Sequence, residues 1–228
     1  MRSSFLSCAL AVAIMIGLSV VAAAQSTAPV LENEHVRVTR TELPKGAILP
    51  DDNKYDMLDV QLDDGETALL EPGQLEKNAS GRAGDAHFFV AESRRSIRNI
   101  GKRTITFIQV QFQRPQGKYV AFEVPQSHYC NPGQEKACVT ERYLFCTDHF
   151  CAESVTVLPG AESTQHTHDA DYIVIATSDF VWRNEPVGKP AVEERFKAGD
   201  VHYIPAGGSH RLINTGNTTA RLFVIQFK

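Results

Sequence analysis

The sequence predicts an all-β protein built as two tandem copies of one unit, and three observations carry that expectation. A shift of 115 residues lays the chain on itself without a gap: Gly84 and Asp85 fall on Gly199 and Asp200, His87 on His202, Asn99 on Asn214, Gly101 on Gly216, and Phe112 on Phe227. Both copies close on alternating apolar runs, 105–112 and 221–227, of the kind that half-buried strands show. No helical period stands out beyond the N-terminal leader. Short, evenly spaced strands between turn residues point to sandwiches or barrels.

The leader comes first. Met1 and Arg2 precede an apolar run from Phe5 to Val21, and Ala22, Ala23 and Ala24 follow before Gln25. This reads as a secretory signal peptide, residues 1–24, with an uncleaved membrane anchor as the alternative because the run is near the length of a short span. Cys8 stands too early to be a lipid-attachment cysteine. The expected mature protein is soluble, secreted or periplasmic, and free of the membrane once the leader is removed. A net charge of −4 over 228 residues, with basic residues in nothing larger than pairs such as Arg94-Arg95, argues against a nucleic-acid partner. The length allows one large domain or two small ones.

The chemistry-bearing residues concentrate in the second copy. His166 and His168 share one face of a strand, because alternate side chains point the same way, and can present two imidazoles to one ion. His210 lies just past Pro205 and Gly207, residues that suit a turn able to swing it towards that pair.

Gly199, Pro205, Gly207, His210 and Asn214 match all five fixed positions of the second signature motif of the cupin superfamily, which this stretch resembles. Gly160, His166 and His168 match the opening half of the first motif. The resemblance implies jelly-roll β-barrels that commonly hold one metal ion. With the repeat it implies a bicupin: an N-terminal barrel at 25–125, a cysteine-bearing connector at 126–151 and a C-terminal metal-binding barrel at 152–228. The family pattern continues, after three or four intervening residues, to a glutamate where this chain has Tyr172 and Ile173, so no glutamate ligand carries over. Asp171, the acid nearest that position, is kept as a candidate pocket residue, although its odd number turns it away from the histidines unless a β-bulge re-aims it, and Asp169 has the same parity. Tyr172 shares the histidine parity and is a candidate cavity residue, either a hydrogen-bond donor or an apolar filler.

Three neutral imidazoles without an acid suit one divalent transition metal, Fe, Zn, Ni or Cu rather than Mn, and leave coordination positions open. A small organic molecule is the expected partner. Two function classes follow: metal-dependent catalysis, either dioxygenase-like or Lewis-acid, and a non-catalytic module that holds a ligand or metal. The chain is expected to be a monomer or a homodimer.

In the first copy the same positions have changed. Arg95 replaces His210, Asp52 and Lys54 align with His166 and His168, and Val90 and Glu92 stand for Pro205 and Gly207. Barrel one is expected to have lost its metal site, with Arg95 pairing with Asp52 or Glu92; the alternative is that its guanidinium holds an organic anion. His87 and His202, equivalent in the two copies, are expected to be structural. Cys130, Cys138, Cys146 and Cys151 lack Cys-x2-Cys zinc spacing and lie in an exported chain, which favours two disulfides. Of three connectivities, Cys130–Cys138 and Cys146–Cys151 are expected because each closes a short turn in a connector with little core of its own.

Overall fold

The computed structural model describes residues 26–49, 54–121 and 127–228. The expected signal peptide and Asp52 lie outside them. All regular structure among the described residues is β, and no helix there is long and apolar enough to cross a membrane.

The first barrel comprises β1 (Ser26–Glu32), β2 (Val36–Leu43), β3 (Ile48–Leu49), β4 (Met57–Gln61), β5 (Gly65–Leu70), β6 (Lys77–Gly81), β7 (Ala86–Phe89), β8 (Ser96–Asn99) and β9 (Ile105–Phe112). They form two antiparallel sheets, in the orders β1-β2-β9-β4-β7 and β3-β8-β5-β6. The second barrel comprises β10 (Val120–Ala121), β11 (Ser127–Cys130), β12 (Cys138–Cys146), β13 (Phe150–Val157), β14 (His166–Thr167), β15 (Tyr172–Ala176), β16 (Phe180–Pro186), β17 (Val192–Phe196), β18 (Val201–Ile204), β19 (Ser209–Asn214) and β20 (Ala220–Phe227). Its sheets run β10-β12-β13-β20-β15-β18, with β11 on β12, and β14-β19-β16-β17. The shift of 115 residues carries β4, β6 and β7 onto β15, β17 and β18 with identical bounds, so the repeat read from sequence is a repeat of strands.

The residues shared by the copies hold the turns. Asn99 Nδ2 donates to the carbonyls of Leu43 and Arg103 at 2.8 and 2.7 Å; Asn214 Nδ2 donates to those of Val157 and Thr218, both at 2.8 Å. Each asparagine is buried and fully bonded, so the last motif position is structural. Gly199 adopts φ +94°, and a Cβ there would meet the Arg40 guanidinium of the other barrel at 2.5 Å, which explains why glycine is needed.

The barrels pack through the outer faces of their large sheets. Val36, Val38, Leu58, Val60, Ile108, Val110 and Phe112 meet Phe150, Ala152, Ile173, Ile175, Phe223, Ile225 and Phe227 in one core, with Phe112 and Phe150 stacked at 4.3 Å. With a barrel interior on one side and the partner barrel on the other, these sheets bury both faces. That is why β9 and β20 read as near-continuous apolar runs.

The cysteines pair as nearest neighbours, Cys130 with Cys138 and Cys146 with Cys151. Their surroundings differ from the expected connector. Each bond joins residues directly opposite in a ladder, of β11 with β12 and of β12 with β13, and Ala137, Val139 and Phe145 are buried. β12 stands beside β13 as β1 stands beside β2, so it is the second barrel's counterpart of the first strand. The boundary expected between residues 151 and 152 therefore cuts β13. The cysteines and turn residues masked an alternation in which Val139, Glu141 and Tyr143 face inward.

Candidate metal centre and its cavity

The three histidines converge. β14 pairs with β19 so that His166 lies directly opposite His210, and the chain past Thr167 keeps His168 on the same side. His166 Nε2 is 3.1 Å from His168 Nε2 and 3.2 Å from His210 Nε2, and one ligand atom from each lies within 4.8 Å of the others. These are the separations expected of ligands about 2 Å from one ion.

Hydrogen bonds fix which nitrogen each ring offers. The Thr164 carbonyl, an acceptor only, lies 2.9 Å from His166 Nδ1, so that nitrogen carries the proton and Nε2 keeps its lone pair. For His210 the same logic runs through three residues. Trp182 Nε1 donates to Glu194 at 2.7 Å, Asn184 Nδ2 donates to the other Glu194 oxygen at 3.3 Å, and Asn184 Oδ1 is thereby turned to His210 Nδ1 at 3.2 Å. His210 then also presents an unprotonated Nε2. Burial first, and neighbouring imidazoles second, push His168 and His210 down to about 4, so both rings are neutral at neutral pH. Tyr172 stands at the position where the family pattern has its glutamate. Its ring stacks on His168 at 3.9 Å, and burial raises its hydroxyl to about 12, so it is a neutral wall and hydrogen-bond donor.

The donor set fits a divalent ion of borderline softness, with positions left open for a ligand. A second group, His128 with Cys130 and Cys138, does not fit, because both sulfurs are committed to a disulfide and cannot offer thiolates.

The triad opens onto a cavity of about 500 Å³ inside barrel two, within the range of small-molecule sites. Val139, Val155, Val157, Val174, Leu222 and Val224 form its apolar wall; Glu141, Glu153, Glu194 and His202 are its other titratable groups besides the triad and the tyrosines. None of these four was read as a cavity residue in the sequence. Glu153 alternates inward with Val155 and Val157 on β13, but was hidden by the boundary drawn there. Glu194 alternates with Val192 and Phe196 on β17, but the adjacent Glu193 makes the run look solvated. His202 was expected to be structural; it packs on Phe196 at 4.5 Å and also lines the cavity.

Asp171 is not among the lining residues. It accepts from Ala206 N at 2.8 Å and from the Tyr203 hydroxyl, on the side facing barrel one, where His35 lies 3.8 Å away. No bulge re-aims it, so strand parity holds. Asp56 accepts from Ala91 N at 2.7 Å in the first copy, which identifies both aspartates as loop staples.

Barrel one has no comparable arrangement among its described residues. Arg95 does not pair with Glu92, which sits in a turn at φ +63°; its Nε lies 3.2 Å from Glu71. Leu70 opposite Ser96 sets that register, just as Pro186 opposite His210 does in barrel two, so Arg95 takes the equivalent position with a different partner. Lys54 is exposed, its ammonium 5.4 Å from the Tyr55 ring centre.

Fold and site together define a tandem pair of jelly-roll barrels in which one barrel carries a histidine-lined small-molecule cavity. Residues 153–226 match the family model described as a cupin domain, and both barrels share the fold of solved cupin proteins. No curated protein matches it significantly. Among solved structures it is similar to AerE from Microcystis aeruginosa, with 13% identity and a TM-score of 0.60 over 89% of this chain and 97% of that one. It is also similar to a cupin 2 conserved barrel domain protein from Leptotrichia buccalis, with 14% identity and a TM-score of 0.57 over 90% of each chain. A tryptophan-to-tyrosine variant of oxalate decarboxylase from Bacillus subtilis gives 14% identity and a TM-score of 0.58 over 88% of this chain and 74% of that one. These likenesses concern the fold.

Proposed function

We propose that this is an exported protein whose C-terminal barrel binds one divalent transition metal through His166, His168 and His210 and holds a small organic molecule against it. The carrying observation is the convergence of three Nε2 atoms, two of them with their tautomers fixed, on the lining of a small-molecule-sized cavity. The metal would supply Lewis acidity or a site for oxygen chemistry. The protein's part is to exclude water with its valine wall and to orient the ligand beside Tyr172. One solved relative of the fold, the Bacillus subtilis oxalate decarboxylase, is described as having Mn(II) centres. This chain lacks a carboxylate in the triad, which supports Fe, Zn, Ni or Cu instead. Two disulfides support an oxidising compartment and hence export.

The test is elemental analysis of protein purified without chelators, beside a His166→Ala/His210→Ala control. One ion per chain, lost in the control, is the expected result. Wild type without metal, and unable to take it up on reconstitution, would leave the cavity as a metal-free binding module.

A further inference from the structure

We infer, building on that reading, that the cavity of barrel two is shaped for a small molecule with an oxygen-donor head, an apolar body and a cationic nitrogen at its far end, and that Glu153 is the residue selecting that end. The polar groups of the cavity are divided. His166, His168 and His210 gather on the small sheet, whereas Glu153 projects from β13 in the large sheet, with the valines and Leu222 between. β20 separates β13 from β15, which places Glu153 roughly 10 Å, two strand spacings, from the strand carrying Tyr172 and Val174. A ligand several carbon atoms long spans that gap.

What Glu153 lacks defines what it would take. No Lys or Arg stands among the residues lining the cavity, and the nearest charged group is a second acid, Glu141, on the adjoining strand β12. Glu141 already accepts from the Tyr129 hydroxyl at 3.1 Å, whereas Glu153 has no ion pair among the described residues. Tyr143, opposite Glu153, offers no positive charge either, and Val224 opposite it on β20 is apolar. In agreement with this geometry, burial first and Glu141 second push Glu153 up to about 7, the behaviour of a carboxyl waiting for a cation. An incoming ammonium satisfies it. An anionic tail meets two acids and is rejected, and a neutral tail gains only its apolar contacts. The first barrel has Thr39 at the equivalent place, opposite Gln109, so the acid belongs to the barrel with the histidines.

The test uses the zinc-loaded full-length protein and matched straight-chain hydroxamic acids of three to five methylene groups ending in methyl, ammonium or carboxylate, with affinities measured by calorimetry at pH 8. At the best-fitting length the ammonium probe is expected to bind at least about tenfold more tightly than the methyl probe, and the carboxylate probe more weakly than either. Glu153→Gln is expected to abolish the ammonium advantage while leaving zinc stoichiometry and methyl-probe affinity intact, which also shows that the variant is folded. Equal binding of ammonium and methyl probes at every length, or an advantage that survives Glu153→Gln, overturns the inference and leaves the metal site standing. Failure of wild type to take up zinc overturns both.

Discussion

The two barrels share a strand order and a set of turn staples, yet among the described residues their interiors are filled differently. In barrel one the inner face of the large sheet carries polar groups that satisfy one another: Thr41 donates to Gln109 at 2.6 Å, and Gln109 Nε2 donates to Asp59 at 3.1 Å and approaches Met57 Sδ at 3.4 Å. The strand register puts Val155, Val224, Val174 and Tyr172 at the matching places in barrel two. Valines there fill less space and bond to nothing, which leaves room for a guest. Leu43, Leu49, Phe89, Ile97, Ile105 and Phe107 complete the core of barrel one, whereas in barrel two His210 is tied through Asn184 and Glu194 to the barrel wall. One copy fills its interior with side chains that satisfy one another, and the other leaves a cavity beside its three histidines. The difference lies in side chains and not in backbone, so it can be tested by substitution.

The seam between the barrels should be the most sensitive point. Phe150→Ala removes a fully buried ring from the shared core and is expected to cost about 3–5 kcal/mol in equilibrium denaturation of the disulfide-bonded protein, in a single transition. Two separate transitions in wild type would show that the barrels fold independently and that the seam is incidental. Next in size is the contrast between equivalent positions: His210→Ala should lower zinc affinity by at least about 100-fold, and Arg95→Ala should leave it unchanged, as read by competition with a chromophoric chelator. A loss of similar size in Arg95→Ala would mean that barrel one contributes to metal binding after all.

Glu153 gives a pH signature that Thr39 cannot. Because its folded-state value is raised from the ordinary carboxyl range to about 7, the native state holds a proton that the unfolded chain releases, and stability drops as pH climbs through that window. Glu153→Gln should therefore stabilise the metal-free protein by about 2 kcal/mol at pH 8 and by nothing at pH 4, where both states are protonated. A gain of equal size at both pH values would assign the effect to packing. The smallest effect is expected at Glu194. Glu194→Gln permits the Asn184 amide to flip and should weaken zinc binding by about tenfold with both disulfides and the fold retained, and no change would show that Asn184 does not depend on Glu194 for its orientation.

Much of this was legible in the residues themselves. The repeat marked two copies of one unit, because Asn99 and Asn214 and the paired glycines must recur wherever the same turns recur. The triad was legible because alternation on β14 and the turn before β19 leave the histidines few other places to point. Asp171, kept as a candidate pocket residue against its strand parity, lies outside the cavity lining. What stayed hidden depends on pairing between distant strands. Glu153, Glu141 and Glu194 are single acids on ordinary alternating strands, and nothing local marks them as lining a cavity instead of facing solvent or the other barrel. The partner of Arg95 was hidden for the same reason: Glu71 is set opposite it by the β5–β8 register, not by sequence proximity. Residues 126–151 were read as a connector because their cysteines cluster around a turn at 131–134, although strands β11 and β12 and the start of β13 lie within that stretch.

The central claim, that one barrel holds a metal and the other does not, is tested most directly by an anomalous difference map from crystals of the zinc-loaded protein. The account predicts one strong peak per chain, about 2.0–2.1 Å from Nε2 of His166, His168 and His210. A peak in barrel one beside Arg95 and Glu71, or the absence of any peak among the three histidines, would contradict it.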